Sequence, residues 1–193
     1  ETELNSQPTD AFGGPDKAHP SFTTIQKAIN YSMTSFFTTG GIRGGKKKMD
    51  KFYPRSFNMG VRSEAYQQLD GFSAMRFGED IDFSIRIFKQ GYRCRLFPDA
   101  WVYHKRRTDL KKFFKQVHNS GIARINLYKK YPESLKLVHL LPALFTMGVV
   151  ICLLGALLCP FALLPLLLYA LLVFLVSAVH NHSLIIGLCA IAA

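Results

Sequence analysis

Charged side chains stop at Lys136. From Leu137 to Ala193 the chain has no Lys, Arg, Asp or Glu, and Leu, Ala, Val and Ile dominate. Two uncharged runs, 140–158 and 161–179, are each 19 residues long, close to the ~20 apolar residues that cross a bilayer as a helix. Cys159-Pro160 lies between them, and Pro can break a helix there. The pattern predicts a helical hairpin returning to its starting side. One long kinked helix is the alternative, because Cys-Pro is a very short turn. His180-Asn181-His182-Ser183 reads as a polar loop, and Leu184 begins a third span. The chain therefore divides at 1–136 and 137–193, with transmembrane helices over about 137–158, 161–179 and from 184 onward. A buried core hairpin of a soluble protein is the competing reading.

Before Lys136 the periodicity is mixed. Phe22, Ile25, Ile29, Met33 and Phe36 recur in steps of three and four and predict a helix opened by Pro20-Ser21. Residues 39–48 are rich in Gly and end in Lys46-Lys47-Lys48, which predicts a mobile loop; the P-loop order is missing. Residues 56–62 alternate as a short strand would, and 63–69 read as a short helix closed by Asp70-Gly71. A helix follows Glu79-Asp80, with Ile81, Ile85 and Phe88 as its buried face and Gly91 as its C-terminal cap. Residues 93–97 and 100–103 read as strands around Pro98-Asp99, with His104 at the end of the second. Thr108 is expected to cap a helix running to Lys130, with Leu110, Phe113, Phe114 and Val117 inward and Lys111, Lys112 and Lys115 toward water or lipid head groups. Interleaved strands and helices make this part α/β.

The charge balance sharpens the membrane reading. The 24 Lys+Arg and 13 Asp+Glu give a net charge of +11, all of it before the apolar tail. Lys129, Lys130 and Lys136 directly precede the first span, and positive flanks mark the cytoplasmic side, so 1–136 is expected in the cytoplasm. Lys105-Arg106-Arg107 and the lysines after them suit an anionic leaflet, at about 1 kcal/mol of attraction each. The pI of about 9.6 also admits a nucleic-acid-binding module, supported only by basic residues near aromatics such as Phe52 and Tyr53. Four cysteines without CxxC spacing argue against a zinc site or disulfide framework. The chain starts at Glu1 and ends at Ala193 inside an apolar run. It is expected to be a piece of a longer protein, without a signal peptide.

The densest acidic group is Glu79-Asp80-Ile81-Asp82. Acids at a helix start interact favourably with the macrodipole, and Asp82 with Arg86 has the spacing of a helix-surface ion pair. Three acids in four residues also repel one another, and such crowding can tune a carboxylate toward general-base work.

The surrounding text carries a resemblance. Asn58-Met59-Gly60-Val61-Arg62, Leu69-Asp70-Gly71-Phe72, the run from Gly78-Glu79-Asp80 to Arg86-Ile87, Gly91-Tyr92-Arg93 and Pro98-Asp99-Ala100-Trp101-Val102-Tyr103-His104 follow in order. Residues from about 13 to 131 resemble the C-terminal half of a family 2 glycosyltransferase catalytic domain, of its membrane-anchored branch. The resemblance implies a partial GT-A domain (the nucleotide-diphospho-sugar transferase type of α/β fold) followed by an all-α transmembrane hairpin.

It also implies roles. Asp80 is the catalytic base of an inverting displacement, and Glu79 orients the base or holds the acceptor. Gly78, Asn58, Asp82 and Arg86 fall on the substrate-binding side, with Asp82 and Arg86 also placed to secure the helix. His104 is a candidate for the metal or diphosphate site. The implied cofactor is a divalent cation, Mg2+ or Mn2+, whose main DxD ligands lie upstream in a nucleotide-binding half that this sequence lacks. The isolated piece is accordingly expected to be inactive. The implied partners are a nucleotide-diphospho-sugar donor, a lipid-linked or glycan acceptor, and membrane lipids, with no nucleic acid. The implied location is the plasma (inner) membrane, multi-pass. Gln116-Val117-His118-Asn119-Ser120 does not match the QxxRW motif of processive polysaccharide synthases, which favours transfer of one or few sugars. A processive synthase and a non-catalytic membrane scaffold stand as the alternatives.

Overall fold

The computed structural model describes residues 8–39 and 52–193. Within it the chain forms two compact units: 8–19, 52–105 and 119–127 make the first, and 20–39, 106–118 and 128–193 make the second. The elements in chain order are β1 (Ala11–Gly13), β2 (Asp16–Lys17), α1 (Thr24–Thr34), β3 (Met59–Val61), α2 (Ser63–Gln68), α3 (Glu79–Lys89), β4 (Cys94–Leu96), β5 (Val102–Tyr103), α4 (Leu110–Lys130), α5 (Leu141–Ala156), α6 (Leu164–Asn181) and α7 (Leu184–Ala192). Single helical turns fill some of the connections. Of the glycine- and lysine-rich stretch, residues 40–48 lie outside the described residues.

The first unit is mixed α/β. A three-stranded sheet runs β3-β1-β4, antiparallel between β1 and β3 and parallel between β1 and β4. A parallel pair joins β2 to β5. The core gathers Ala11, Leu69, Phe83 and Ile87, with Met59, Val61, Tyr92 and Cys94 packed around it. The face of α3 differs from the expected one. Ile85 is buried as expected, and Phe83 and Ile87 are fully buried, whereas Ile81 and Phe88 are only half-buried. The helix is covered on more than one side, so a single apolar stripe does not describe it. Its C-terminus does follow the sequence reading. Gly91 has φ +79°, its N–H donates to Phe88 O at 3.1 Å, and the Tyr92 N–H donates to Ile87 O at 3.1 Å. Those two bonds are the Schellman pattern that a left-handed glycine permits.

Strand extents are shorter than the alternation suggested. Residues Ser56–Asn58 form a 3-10 turn, and only Met59–Val61 pair with β1. Ala100 is taken by a turn, its N–H donating to Phe97 O at 3.1 Å, so β5 is confined to Val102–Tyr103.

In the second unit α1 starts at Thr24, because Thr23 rather than Pro20-Ser21 caps it. The Gln26 N–H donates to the Thr23 hydroxyl, and the Gln26 side chain accepts from the Thr23 N–H. This reciprocal box satisfies two helix-end donors. The helix stops at Ser35, whose backbone is extended. Phe36 therefore leaves the apolar stripe and is 71% exposed.

Ala28 and Tyr31 on α1 pack with Val173 of α6 and with Ile186 and Ala190 of α7. Ile29, Met33 and Phe113 form a second cluster. By contact, α1 thus groups with the apolar tail, which differs from the sequential division at residue 136. Charge stops at Lys136, but apolar side chains earlier in the chain still seek apolar partners.

Helix α4 is capped by Asp109 instead of Thr108: its Oδ1 accepts from the Lys112 N–H at 2.7 Å. That bond and the Lys112 ammonium hold the Asp109 carboxyl below its ordinary range. Phe113 is buried as expected, but Phe114 and Val117 are exposed. The buried stripe continues through Ala123, Leu127 and Tyr131, which fixes the helix rotation and turns Phe114 and Val117 outward.

The apolar tail forms a hairpin. The rings of Phe145 and Tyr169 are 5.2 Å apart, whereas a continuous helix would separate them by about 36 Å at its rise of 1.5 Å per residue. Leu137–Ala156 and Pro160–Asn181 are long and apolar enough to cross a membrane, and their apolar windows are 0% and 17% buried. That exposure is opposite to what the core hairpin of a soluble protein requires. His182 (φ +50°) turns the chain into α7.

Candidate active site

The acidic cluster opens α3. Gly78 precedes it in the left-handed region at φ +82°. A Cβ there would lie 3.1 Å from Ala123 Cβ and 3.3 Å from Leu127 Cδ1. Gly78 therefore serves a backbone turn and the close approach of α4.

Asp80 is buried and both its oxygens are engaged. Oδ1 accepts from the Ile81 N–H at 2.8 Å, and Oδ2 pairs with Arg55 Nη1 at 3.3 Å. The guanidinium that holds it is itself 39% exposed. Glu79 is half-buried and makes no hydrogen bond or ion pair among the described residues.

Arg124 joins this group from α4. Its guanidinium interacts electrostatically with Arg55, Tyr53 and Asp80, and burial together with the Arg55 charge pulls its pKa below the ordinary arginine value. The Tyr53 ring stands edge-on to Phe88 at 5.4 Å, and burial raises its hydroxyl pKa against the opposing pull of Arg124. At the mouth of α3 the Asp80 carboxylate thus pairs with Arg55, within electrostatic range of Arg124.

Sequence reasoning missed Arg55 and Arg124. A signal existed for Arg124 alone: it falls between Ala123 and Leu127 on the stripe that begins at Phe113, and an arginine on an inward stripe is unusual.

The other candidates separate into two groups. Asp82 is fully buried, and its Oδ2 accepts from Arg86 Nε at 3.0 Å. Arg86 also donates to Leu69 O, and to Gly71 O at 2.6 Å. These two residues clamp α3 to the turn after α2, in a network distinct from Asp80 and Arg55. Asn58 Nδ2 donates to Ala100 O at 2.8 Å. The His104 ring stacks on Phe57, with centroids 3.8 Å apart at 18°, and the His104 backbone N–H donates to Lys17 O. The segment 55–58 therefore reaches Asp80 through Arg55, His104 through Phe57 and the 98–101 turn through Asn58. A cavity of about 300 Å³ lined by Pro8, Thr9, Asp10, Phe12, Val61 and Arg62 involves none of these residues.

The resemblance places the main ligands of the implied divalent cation upstream, outside the residues described. No group of three His, Cys, Asp or Glu side chains converges among them. Asp82 is committed to Arg86, and His104 lies against an aromatic ring.

With this geometry in view, comparison with protein families gives one result. Residues 56–190, more than half of the chain, match the model for glycosyl transferase family group 2. The chain belongs to this glycosyl transferase family. The matched span takes in α3, α4 and both long apolar helices, so the tail is part of the family pattern. No curated protein and no solved structure matches the chain.

Proposed function

We propose that this chain is the acceptor side of a membrane-bound, inverting glycosyltransferase of GT-A fold, and that Asp80 is its catalytic base. Family membership supports glycosyl transfer from a nucleotide-sugar donor to an acceptor. What supports the assignment to Asp80 is its place: it lies in the family-matched span, in the first turn of α3, with Arg55 on its Oδ2 at 3.3 Å.

In the proposed step the acceptor hydroxyl gives its proton to Asp80 Oδ2 as its oxygen attacks the anomeric carbon. The bond from that carbon to the diphosphate oxygen breaks on the opposite face, which inverts configuration, and the nucleoside diphosphate leaves. For Oδ2 to accept the proton, Arg55 must first move off it. Glu79, at the same helix start, holds the acceptor hydroxyl. The acceptor is lipid-linked or a glycan. The protein sits in the plasma membrane through several spans, with the catalytic part on the cytoplasmic side, because Lys129, Lys130 and Lys136 flank the first span.

The test is Asp80→Asn in the full-length protein, assayed with a panel of nucleotide-diphospho-sugars. Loss of a positioned base costs about 10²–10⁴-fold in turnover, with donor binding kept. Retained turnover removes Asp80 from the role, and Glu79→Gln then identifies Glu79 if it alone is inactive.

A non-catalytic scaffold is the second reading, favoured by one observation: Asp80 is already satisfied by Arg55 and the Ile81 N–H. On that reading Asp80→Asn lowers stability, and the unmodified protein transfers none of the sugars.

A further inference from the structure

The helical turn Phe36–Thr39 follows the break at Ser35 and belongs, with α1 and the tail, to the second unit. It turns two large apolar side chains outward: Phe36 is 71% and Phe37 45% exposed. No charged residue occurs from Ala28 to Thr39. One bond marks its level along the tail. The Tyr169 hydroxyl donates to Phe37 O at 3.1 Å, and the Tyr169 ring meets Phe145 at 5.2 Å. Tyr169 is nine residues from Pro160 and twelve from Asn181, and Phe145 is eight from Leu137 and eleven from Ala156. At a rise of 1.5 Å per residue, both lie roughly 12 Å or more from the nearer end of their apolar helix. The Phe37 carbonyl is therefore level with the middle of the hairpin and not with its polar ends.

The backbone around this turn is paired internally. Thr38 Oγ1 donates to Ser32 O at 2.8 Å, the carbonyl that a continuing helix would pair with the Phe36 N–H. Thr39 Oγ1 donates to Ser35 O at 2.9 Å, Thr34 Oγ1 donates to Asn30 O at 2.8 Å, and the Phe37 N–H donates to Ser35 Oγ at 3.3 Å. A turn in water has no need of such partners, because water serves its carbonyls and hydroxyls. In hydrocarbon an unpaired carbonyl is costly, and Ser and Thr hydroxyls re-pair it where a helix is interrupted.

We propose that Phe36–Thr39 dips into the hydrocarbon layer of the membrane beside the α5–α6 hairpin, with Phe36 and Phe37 against lipid acyl chains. This rests on the reading of the chain as membrane-bound in the preceding subsection, and it extends that reading to a segment far ahead of the first span in sequence. Acyl chains are the occupant because the Tyr169 bond sets the turn at the depth of helices whose apolar windows are 0% and 17% buried. The medium that covers their outward leucines also covers Phe36 and Phe37.

The experiment places a reporter on the turn. Trp101 is the single tryptophan, so Trp101→Phe supplies a background without tryptophan emission. In that background Phe36→Trp, Phe37→Trp and Leu168→Trp are introduced one at a time into the full chain, reconstituted in phosphatidylcholine vesicles brominated on the acyl chains. Leu168 adjoins Tyr169 and is 56% exposed, so it reports the same level of the hairpin. Emission of Phe36→Trp and Phe37→Trp is expected to be blue-shifted, lost to the brominated lipid as fully as that of Leu168→Trp, and unaffected by aqueous iodide.

The two readings fail differently. Quenching of the turn by iodide, or no loss to brominated lipid while Leu168→Trp is quenched, overturns this inference and leaves the membrane reading in place. Emission from the turn that neither quencher reaches also overturns it, and points to a protein partner or a second copy. No loss at Leu168→Trp removes the membrane reading and this inference with it. A measurement on the unmodified protein guards against variants that fail to fold. A phospholipid with a diazirine on its acyl chain should, on illumination, tag the peptide containing Phe36 and Phe37, mapped by mass spectrometry. Tagging confined to the tail overturns the proposal equally.

Discussion

Gly78 and Ala123 are in near contact across two helices: a Cβ on the glycine would lie 3.1 Å from that of the alanine. The start of α3, and so the direction of Asp80, depends on this approach and on the left-handed backbone of Gly78. Gly78→Ala must place a side chain at φ +82°, which costs about 1–2 kcal/mol, and must push α4 outward. We expect a lower unfolding midpoint in denaturant and reduced transfer. An unchanged midpoint would mean that the backbone turn relaxes freely.

Arg86 offers a sharper contrast between charge and geometry. Removing it takes the 3.0 Å cation from the buried Asp82, and breaking a buried ion pair from one side costs roughly 3–5 kcal/mol. Arg86→Ala should therefore destabilise strongly. Arg86→Lys should recover only part, because one ammonium cannot serve Asp82, Leu69 O and Gly71 O together. Equilibrium unfolding of both variants and of Asp82→Asn tests this. Equal stability of the Lys and Arg proteins would reduce the clamp to a simple ion pair.

The tail and α1 should fail together. A protein truncated after Lys136 loses Val173, Ile186 and Ala190, against which Ala28 and Tyr31 pack. Reading charge alone, residues 1–136 would be a soluble piece. The packing predicts that the truncated protein aggregates or needs detergent, which sedimentation with and without detergent will decide.

Cys94 should be chemically quiet. Burial raises its pKa from 9.0 to about 12, so above pH 9 the unfolded chain ionises this thiol while the folded one does not. Stability attributable to Cys94 is complete below that pH and declines as pH rises toward 12. In a protein with Cys152, Cys159 and Cys189 replaced by Ala, alkylation at pH 8.5 should be slow until denaturant is added. Fast labelling of the folded form would contradict the burial.

Much of the organisation is legible in the order of residues. Local signals are reliable where the physics is local: Gly91 ends α3 because only a residue at ease in the left-handed region makes both cap bonds. The apolar tail is equally plain. Elements that depend on a partner are not. The Asp109 cap, the exposed Phe114 and the short β5 each turned on which neighbour reached the group first. The site divides in the same way. Asp80 and Glu79 were visible as a cluster, while Arg55, 25 residues away in sequence, and Arg124 on another helix carried no shared motif.

By itself the sequence determined the composition of the parts: a basic α/β portion, an uncharged tail long enough for two spans, and three acids at one helix start. Spacing along a chain records which residues share a helix face, a turn or a run, because those relations extend over a few residues. Only the tertiary structure chose the hairpin over one long kinked helix, bringing Phe145 to Tyr169, packed α1 with the tail, and brought Arg55 from a distant segment to Asp80. Those are encounters between distant parts of the chain, fixed by burial and charge pairing after it has folded.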